Sequence, residues 1–267
     1  MLPKLIAVDM DGTFLNRQRQ YDRPRFERLF KIMHQLDIKF VIASGDSYVL
    51  LQQYFPDLYP QMNFVAENGA NIYLGVTKLY QSKIAPELIQ QVMNVLQNFE
   101  PDPLIMCGPV NAYVLADTPE PTYQMVNSFY PNLKRVNDFA DISEPILKIA
   151  MSLPFKERDQ AVVDLRQQLA GALIPIPSGF GDIDINLPGV NKATGLLKMA
   201  KFWQIEPKDM VAFGDGGNDL EMLKLVGRSY AMANADQAVK DIAQQIIGDN
   251  NTSTVLDKIA KLISPKN

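Results

Sequence analysis

The sequence predicts an α/β protein built on a parallel sheet, with a second, α+β domain inserted into it. Three observations carry the prediction. Short, continuously apolar runs alternate with helical patterns at both ends of the chain, as expected for strands covered on both faces. Several of those runs end in acidic, hydroxylic or glycine residues, where open α/β sheets place their ligands. Between the two ends the alternation breaks down, and eight prolines fall between Pro101 and Pro154.

Taken in order, Leu5–Val8 reads as a strand. Pro24–Leu36 reads as a helix, because Phe26, Leu29, Phe30, Met33 and Leu36 recur near a period of 3.6. Lys39–Ala43 is the next strand and runs into Ser44-Gly45. Tyr48–Phe55 is helical and stops before Pro56, and Phe64–Ala66 is a short strand closed by the turn Glu67-Asn68-Gly69-Ala70. The central stretch reads as helices over Glu87–Phe99, Tyr123–Phe129 and Glu157–Leu169. Its strands are Leu104–Cys107, Ala112–Ala116, Ile146–Ser152 and Ile183–Asn186. The first pattern then resumes, with a helix over Asn191–Phe202 and a strand over Met210–Phe213. Gly214-Asp215-Gly216-Gly217-Asn218-Asp219 follows, and Asn218 or Asp219 is placed to cap a helix through Leu225. Tyr230–Met232 reads as a strand, Gln237–Gln244 and Ser253–Ile263 as helices. The expected division is a discontinuous core, 1–82 and 188–267, with the inserted domain at 83–187.

Composition narrows the functional classes. The 267 residues are 47% hydrophobic and 21% charged, as in ordinary globular proteins. A net charge of −4 with no basic block argues against nucleic-acid binding. No window approaches the ~20 apolar residues of a membrane span, and no signal peptide is evident, so a cytoplasmic protein is expected. The single cysteine, Cys107, cannot form an internal disulfide and reads as a small buried side chain. The single histidine, His34, falls on the polar flank of its helix, which disfavours a histidine-based triad or zinc site.

The chemistry concentrates at the strand ends. Asp9 and Asp11 follow Leu5–Val8 one residue apart, and like charges held that close need a cation or a proton between them. Ser44 follows the second strand and Asp215 follows Met210–Phe213, so acidic and hydroxylic groups converge on one crevice. With oxygen donors and neither cysteine nor histidine at hand, a hard cation such as Mg²⁺ fits. Thr13 and Ser44 offer hydroxyls, and Gly12 and Gly45 let backbone N–H groups approach a phosphate. Lys192, at the start of a predicted helix, offers positive charge.

In order and spacing, Asp9-x-Asp11-Gly12-Thr13, Ser44-Gly45, Lys192 and Gly214-Asp215-x-x-Asn218-Asp219 resemble the four motifs of the haloacid dehalogenase (HAD) superfamily of phosphatases. Glu67-Asn68-Gly69-Ala70 and Gly189-Val190-Asn191-Lys192 further resemble its Cof-type branch, many of whose members act on sugar phosphates and other small phosphate esters. Only 35 residues separate Asp9 from Ser44, whereas 148 separate Ser44 from Lys192. That spacing leaves room for a cap only in the second gap, so the insert resembles the C2 cap and the spacing argues against a mutase.

The resemblance implies a Rossmann-like core and assigns roles. Asp9 would be the nucleophile that forms an aspartyl phosphate, and Asp11 the general acid and then base. Asp9, the main-chain carbonyl of Asp11, and Asp215 would hold Mg²⁺, with Asn218 and Asp219 orienting phosphate or metal-bound water from behind. Gly12, Thr13, Ser44, Gly45, Lys192 and Asn218 would bind the substrate phosphate, with Ser44 and Lys192 steadying its oxygens.

The chain departs from the pattern at Asp46, where many relatives carry arginine. Asp46 could pair with a local cation, contact a sugar hydroxyl or cap the helix beginning near Ser47, and the cap is the favoured reading. In the insert, Phe180-Gly181-Asp182 is the best candidate for a substrate-facing loop, against a plain hairpin turn. The expected substrate is a small phosphorylated metabolite. Phosphotransfer to an acceptor other than water, or sensing of a phosphate ligand without turnover, are the alternatives. The physiological substrate and the oligomeric state stay open.

Overall fold

The computed structural model describes residues 2–154, 156–178 and 182–264. Among them, strands β1 (Leu5–Val8), β2 (Lys39–Ala43), β3 (Asn63–Ala66), β4 (Asn71–Leu74) and β5 (Thr77–Gln81) lie in the first part of the chain. Helices α1 (Arg23–Gln35) and α2 (Tyr48–Tyr54) separate the first three. Asp22 caps α1 by accepting the Arg25 N–H at 3.1 Å, and Pro24 in the first turn needs no N–H partner. His34 is exposed on this helix and Phe26, Leu29, Phe30 and Met33 are buried, as the periodicity requires.

The middle of the chain supplies α3 (Pro86–Leu96), β6 (Leu104–Cys107), β7 (Ala112–Leu115), α4 (Glu120–Asn127) and β8 (Leu133–Val136). It continues with β9 (Lys148–Ser152), α5 (Arg158–Leu169), β10 (Ile174–Pro177) and β11 (Asp182–Asn186). The end supplies α6 (Lys192–Trp203), β12 (Met210–Gly214), α7 (Leu220–Leu225), β13 (Arg228–Ala231), α8 (Gln237–Ile242), β14 (Gln245–Ile246) and α9 (Thr254–Ile263).

Two sheets result. The first has the order β14-β13-β12-β1-β2-β3-β4-β5. It is parallel from β14 to β3, and β1 sits between β2 and β12 with Ala7 opposite Val41 and Ala212. Every residue of β1 and β12 is buried, which explains their uninterrupted apolar sequences. Because β1, β2 and β12 run the same way side by side, Asp9, Ser44 and Asp215 emerge at the same edge of the sheet.

The β4–β5 hairpin extends this sheet antiparallel to β3 and is absent from the sequence reading. Its strands are short and half-buried, so the apolar signal is weak. Tertiary contacts fix it instead: Tyr73 stacks on Tyr48 at 3.7 Å, and the Tyr48 hydroxyl donates to the Gly75 carbonyl at 2.9 Å. Gly75 adopts φ 57°, and a Cβ there would lie 2.2 Å from the Pro60 carbonyl oxygen, so glycine is required at the turn.

The second sheet, β10-β11-β9-β6-β7-β8, takes all its strands from the interval between Leu104 and Asn186. Neighbours are antiparallel except β7 and β8. Side chains alternate along each strand. Ile149 and Met151 of β9, and Ile183 and Ile185 of β11, enter a core with Leu165 and Leu169 of α5. Lys148, Ala150 and Ser152, with Asp182, Asp184 and Asn186, therefore occupy the opposite face. That polar half of the alternation meets the first sheet's loops. β8 and β10 are also missing from the sequence reading, since Ile174-Pro175-Ile176-Pro177 looks like a breaker and is tolerated only because β10 is the sheet edge.

Candidate active site

The crevice at the ends of β1, β2 and β12 is organised by one buried ammonium. Lys192, the first residue of α6, has 0% of its side chain exposed and donates to Asp9 Oδ1 and Asp219 Oδ1, each at 2.6 Å. Its position is fixed by a reciprocal cap, in which Asn191 accepts the Thr194 N–H at 2.9 Å and Thr194 accepts the Asn191 N–H at 3.2 Å. Burial alone would push the lysine pKa down, but Asp219 and Asp9 more than offset this and hold it up.

Asp9, Asp215 and Asp219 each bring an oxygen to within 4.8 Å of the others. Burial, then the charge of Asp219, holds the Asp9 carboxyl well above the usual carboxylate range against the pull of Lys192. The same two causes push Asp215 up to about 7. One ammonium, bonded to two of the three carboxylates, stands against all three charges, and the donor set is all oxygen; this is the environment a hard divalent cation would relieve.

The structure brings Asp9, Thr13, Lys192, Asp215 and Asp219 together, and other expected residues lie apart from that cluster. Asp11 lies outside the carboxylate cluster: its side chain is 52% exposed and its Oδ1 stands 3.6 Å from Arg19 Nε. Its side chain is therefore not among the carboxylates gathered at the strand ends. Thr13 spends its hydroxyl on Asp215 Oδ1 at 2.8 Å, so it orients that carboxylate where a phosphate contact was expected. Ser44 Oγ accepts the Asp46 N–H at 3.0 Å, which leaves its own O–H to donate.

Asp219 accepts the N–H groups of Asp215 and Gly216 at 2.9 and 3.1 Å, folding the loop back on itself; neither it nor Asn218 caps α7 through its side chain. Asn218 donates to Asn68 Oδ1 at 3.0 Å, so part of its amide is engaged by the protein. Asp46 does not cap α2: Ser47 does, accepting the Leu50 N–H at 3.2 Å. One residue of register decides this, because the cap must carry extended backbone just before the first helical residue. Of the expected cap loop, Phe180 and Gly181 lie outside the described residues; Asp182 accepts a hydrogen bond from Ser152 Oγ within the second sheet.

Gly12 sits at φ 77°, and a Cβ there would fall 2.1 Å from Asp215 Oδ2. Asn234 holds the Gly12 carbonyl at 2.7 Å. Glycine here combines backbone freedom with close approach of two loops.

A second polar cluster ties the two sheets together and was missed from sequence. Lys148 of β9 donates to the Gly45 carbonyl at 2.7 Å and pairs with Glu67 at 3.1 Å and Asp184 at 3.2 Å, all buried. Asn68 donates to Asp184 Oδ2 at 2.6 Å and accepts from Asn218, closing a chain from the β12 loop to β11. Burial pushes Glu67 up and Lys148 opposes it; Lys148 itself is held well above its usual value by Asp184 and Glu67 against its burial. A signal was present, since Lys148 interrupts an apolar run and Asp182-Ile183-Asp184-Ile185-Asn186 alternates strictly. Cys107 is buried, and burial raises its thiol.

An oxygen-only donor set beside a buried ammonium is the equipment of enzymes that handle phosphate esters with a hard cation. The comparisons with known proteins agree. Residues 6–259 match the haloacid dehalogenase-like hydrolase family, and the chain belongs to it. It is 35% identical over 260 residues to the 5-amino-6-(5-phospho-D-ribitylamino)uracil phosphatase YbjI of Escherichia coli (strain K12), covering 97% of this chain and 96% of that protein. The structure of SMU.1108c from Streptococcus mutans UA159 superposes with a TM-score of 0.94 at 36% identity, covering 98% of this chain and all of that one (100%). The HAD subclass IIB sugar phosphatase BT4131 shares the fold with a TM-score of 0.83 at 19% identity, over 98% and 100% of the two chains. The protein is a phosphatase of this family, with the fold of its Cof-type branch.

Substituting Gly12 tests the loop packing. Gly12→Ala should lower kcat for p-nitrophenyl phosphate by about 100-fold, because a displacement near 1 Å of Asp215 or the Asp11 backbone has that order of effect. Steady-state kinetics on the purified variant would measure it.

Proposed function

We propose that this protein hydrolyses small phosphorylated metabolites, sugar phosphates among them, through an aspartyl-phosphate intermediate with Mg²⁺ as cofactor. The observation that supports it best is the clustering of Asp9, Asp215 and Asp219 around Lys192 at the exit of β1 and β12. Residues 83–187 would form the cap, and 1–82 with 188–267 the catalytic body. Among the described residues no helix is long and apolar enough to cross a membrane.

In this reading Asp9, oriented by Lys192, attacks phosphorus, and the bond to the ester oxygen breaks. Asp11, half-exposed and so free to reach the leaving group, gives its proton to the departing alkoxide. It then takes a proton from the water that displaces Asp9 and releases inorganic phosphate. The Lys192 ammonium, the Ser44 hydroxyl and the backbone N–H groups near Gly12 and Gly45 would stabilise the phosphoryl oxygens. Mg²⁺, held by Asp9, the Asp11 carbonyl and Asp215, would neutralise charge on the phosphate. Asp219, with both oxygens committed to Lys192 and the loop N–H groups, holds the frame behind them.

Two measurements test the metal. EDTA should remove phosphatase activity and Mg²⁺ restore it; full activity after rigorous metal removal would sink the assignment. The second uses no turnover. With Asp215 pushed up to about 7, the metal-free protein holds a stabilising contribution below the ordinary Asp pKa near 4 and loses it as pH rises toward 7. Mg²⁺ should therefore raise the melting temperature more at pH 7.5 than at pH 5. Equal shifts at both values would count against Asp215 as a ligand. Release of inorganic phosphate without any acceptor separates hydrolysis from phosphotransfer, and any turnover excludes a pure sensor.

A further inference from the structure

The turn Glu67-Asn68-Gly69 is held in a backbone conformation that side chains avoid. Glu67 and Asn68 lie at φ 50° and 52°, and Gly69 at φ 95°. Successive non-glycine residues in the left-handed region are uncommon, and such strain persists only where the surroundings over-determine it. The Glu67 and Asn68 N–H groups donate to the carbonyls of Asp46 at 3.0 Å and Ser44 at 2.9 Å. A Cβ on Gly69 would stand 2.4 Å from the Asn191 carbonyl oxygen, next to Lys192. The turn therefore abuts both the Ser44-Gly45 loop and the start of α6. It carries the buried Asn68 side chain between β11 and the loop after β12.

The bonds of that side chain have a direction. Asp184 Oδ1 faces the Lys148 ammonium at 3.2 Å, and Oδ2 faces Asn68 Nδ2 at 2.6 Å. A carboxylate paired with an ammonium only accepts, so Asn68 has to present its NH₂ group to Asp184 and its oxygen to the other side. That oxygen also only accepts, so Asn218 has to present its own NH₂ group, at 3.0 Å. Asn218 Oδ1 is thereby turned toward Gly216, where it would stand 3.1 Å from an added Cβ, on the loop that carries Asp215. Turning either amide over by itself would set like groups against each other. One acceptor-only group at the end of the chain fixes the orientation of both amides.

We infer that Asp184, acting through Asn68, positions the Asn218 amide, so that a residue of the second sheet sets which end of Asn218 faces the crevice. Asp184 and Asn68 touch no reacting atom; both are positioning residues. The inference rests on the proposed reading that Asn218 belongs to the machinery that handles the phosphate ester.

The test exchanges the two ends of one hydrogen bond. Asn68→Asp sets a second carboxylate against Asp184, and aspartate tolerates the left-handed backbone as asparagine does. Asp184→Asn sets amide against amide, because Lys148 keeps the oxygen of the new side chain on its own side. In the double variant, the amide at position 184 donates to the carboxylate at position 68, whose other oxygen still accepts from Asn218. The readout is kcat/KM for p-nitrophenyl phosphate with Mg²⁺ present, per folded molecule, with the folded fraction taken from thermal unfolding of the same samples. Each single variant should lose about 10-fold or more, since a small misplacement of a positioned group has that order of effect. The double variant should return to within about 3-fold of wild type, and in an Asn218→Ala background Asn68→Asp should cost less than about 2-fold, because the group it positions is gone. If Asn68→Asp alone does not fold, Asp184→Asn and the double variant carry the comparison. Wild-type kcat/KM in the single variants, a double variant no better than Asp184→Asn, or an equal loss from Asn68→Asp with and without the Asn218 side chain overturns the inference. Failure of wild type to release phosphate from p-nitrophenyl phosphate would instead overturn the phosphatase reading beneath it.

Discussion

Asp9→Asn is expected to lower phosphate release by at least about four orders of magnitude, because the amide cannot form the aspartyl phosphate and no neighbouring group replaces it. The fold should survive. Lys192 keeps Asp219 as a partner at 2.6 Å, and the loop N–H bonds to Asp219 are untouched. Removing the charge even relieves a repulsion, since burial and Asp219 disfavour the ionised Asp9 carboxylate. A carboxyl raised in the folded state stabilises at low pH and loses that contribution as pH rises. The metal-free variant should therefore melt no lower than the metal-free wild type at pH 7.5. Kinetics with p-nitrophenyl phosphate and thermal unfolding check both halves. Near-wild-type turnover by pure Asp9→Asn would remove Asp9 as nucleophile.

Lys148→Met should have the largest effect on stability. Lys148, Glu67 and Asp184 are all buried, with the ammonium facing both carboxylates and the Gly45 carbonyl. Breaking a buried pair by removing one partner costs about 3–5 kcal/mol, as the remaining charge is left uncompensated. At about 2–4 °C per kcal/mol for a chain near this size, the melting temperature should fall by about 10 °C. Glu67→Gln in the same background should recover part of the loss, because one unpaired charge disappears. Activity should fall as well, since the Gly45 carbonyl loses the donor that ties the Ser44-Gly45 loop to β9. A melting temperature unchanged in Lys148→Met would mean that water replaces the ammonium without cost and that the cluster does not couple the two sheets.

Much of the site was readable because its residues sit where periodicity stops. Asp9, Ser44 and Asp215 each follow an apolar strand, and three parallel neighbours bring such ends together without long-range guesswork. Pairs that depend on distant loops were less visible. Thr13 was expected on phosphate, yet its hydroxyl is taken by Asp215, 202 residues away in sequence. Asp46 and Ser47 are both good capping residues, and only the backbone conformation chooses between them. The β4–β5 hairpin escaped notice because its stability comes from Tyr48, Tyr73 and the Pro60 carbonyl rather than from its own alternation.

The sequence by itself determined the parallel α/β core and the aspartates and lysine that meet at its strand ends. Buried strands, strand ends and motif spacing are local or nearly local properties of the chain. Only the tertiary structure decided which atoms remain available there. Lys192 is shared between Asp9 and Asp219, Lys148 is spent on joining the two sheets, and Arg19 pairs at 3.6 and 4.0 Å with Asp11 and Asp46. Hydrogen bonds and ion pairs act over about 3–4 Å, a distance that sequence separation does not report until the chain has folded.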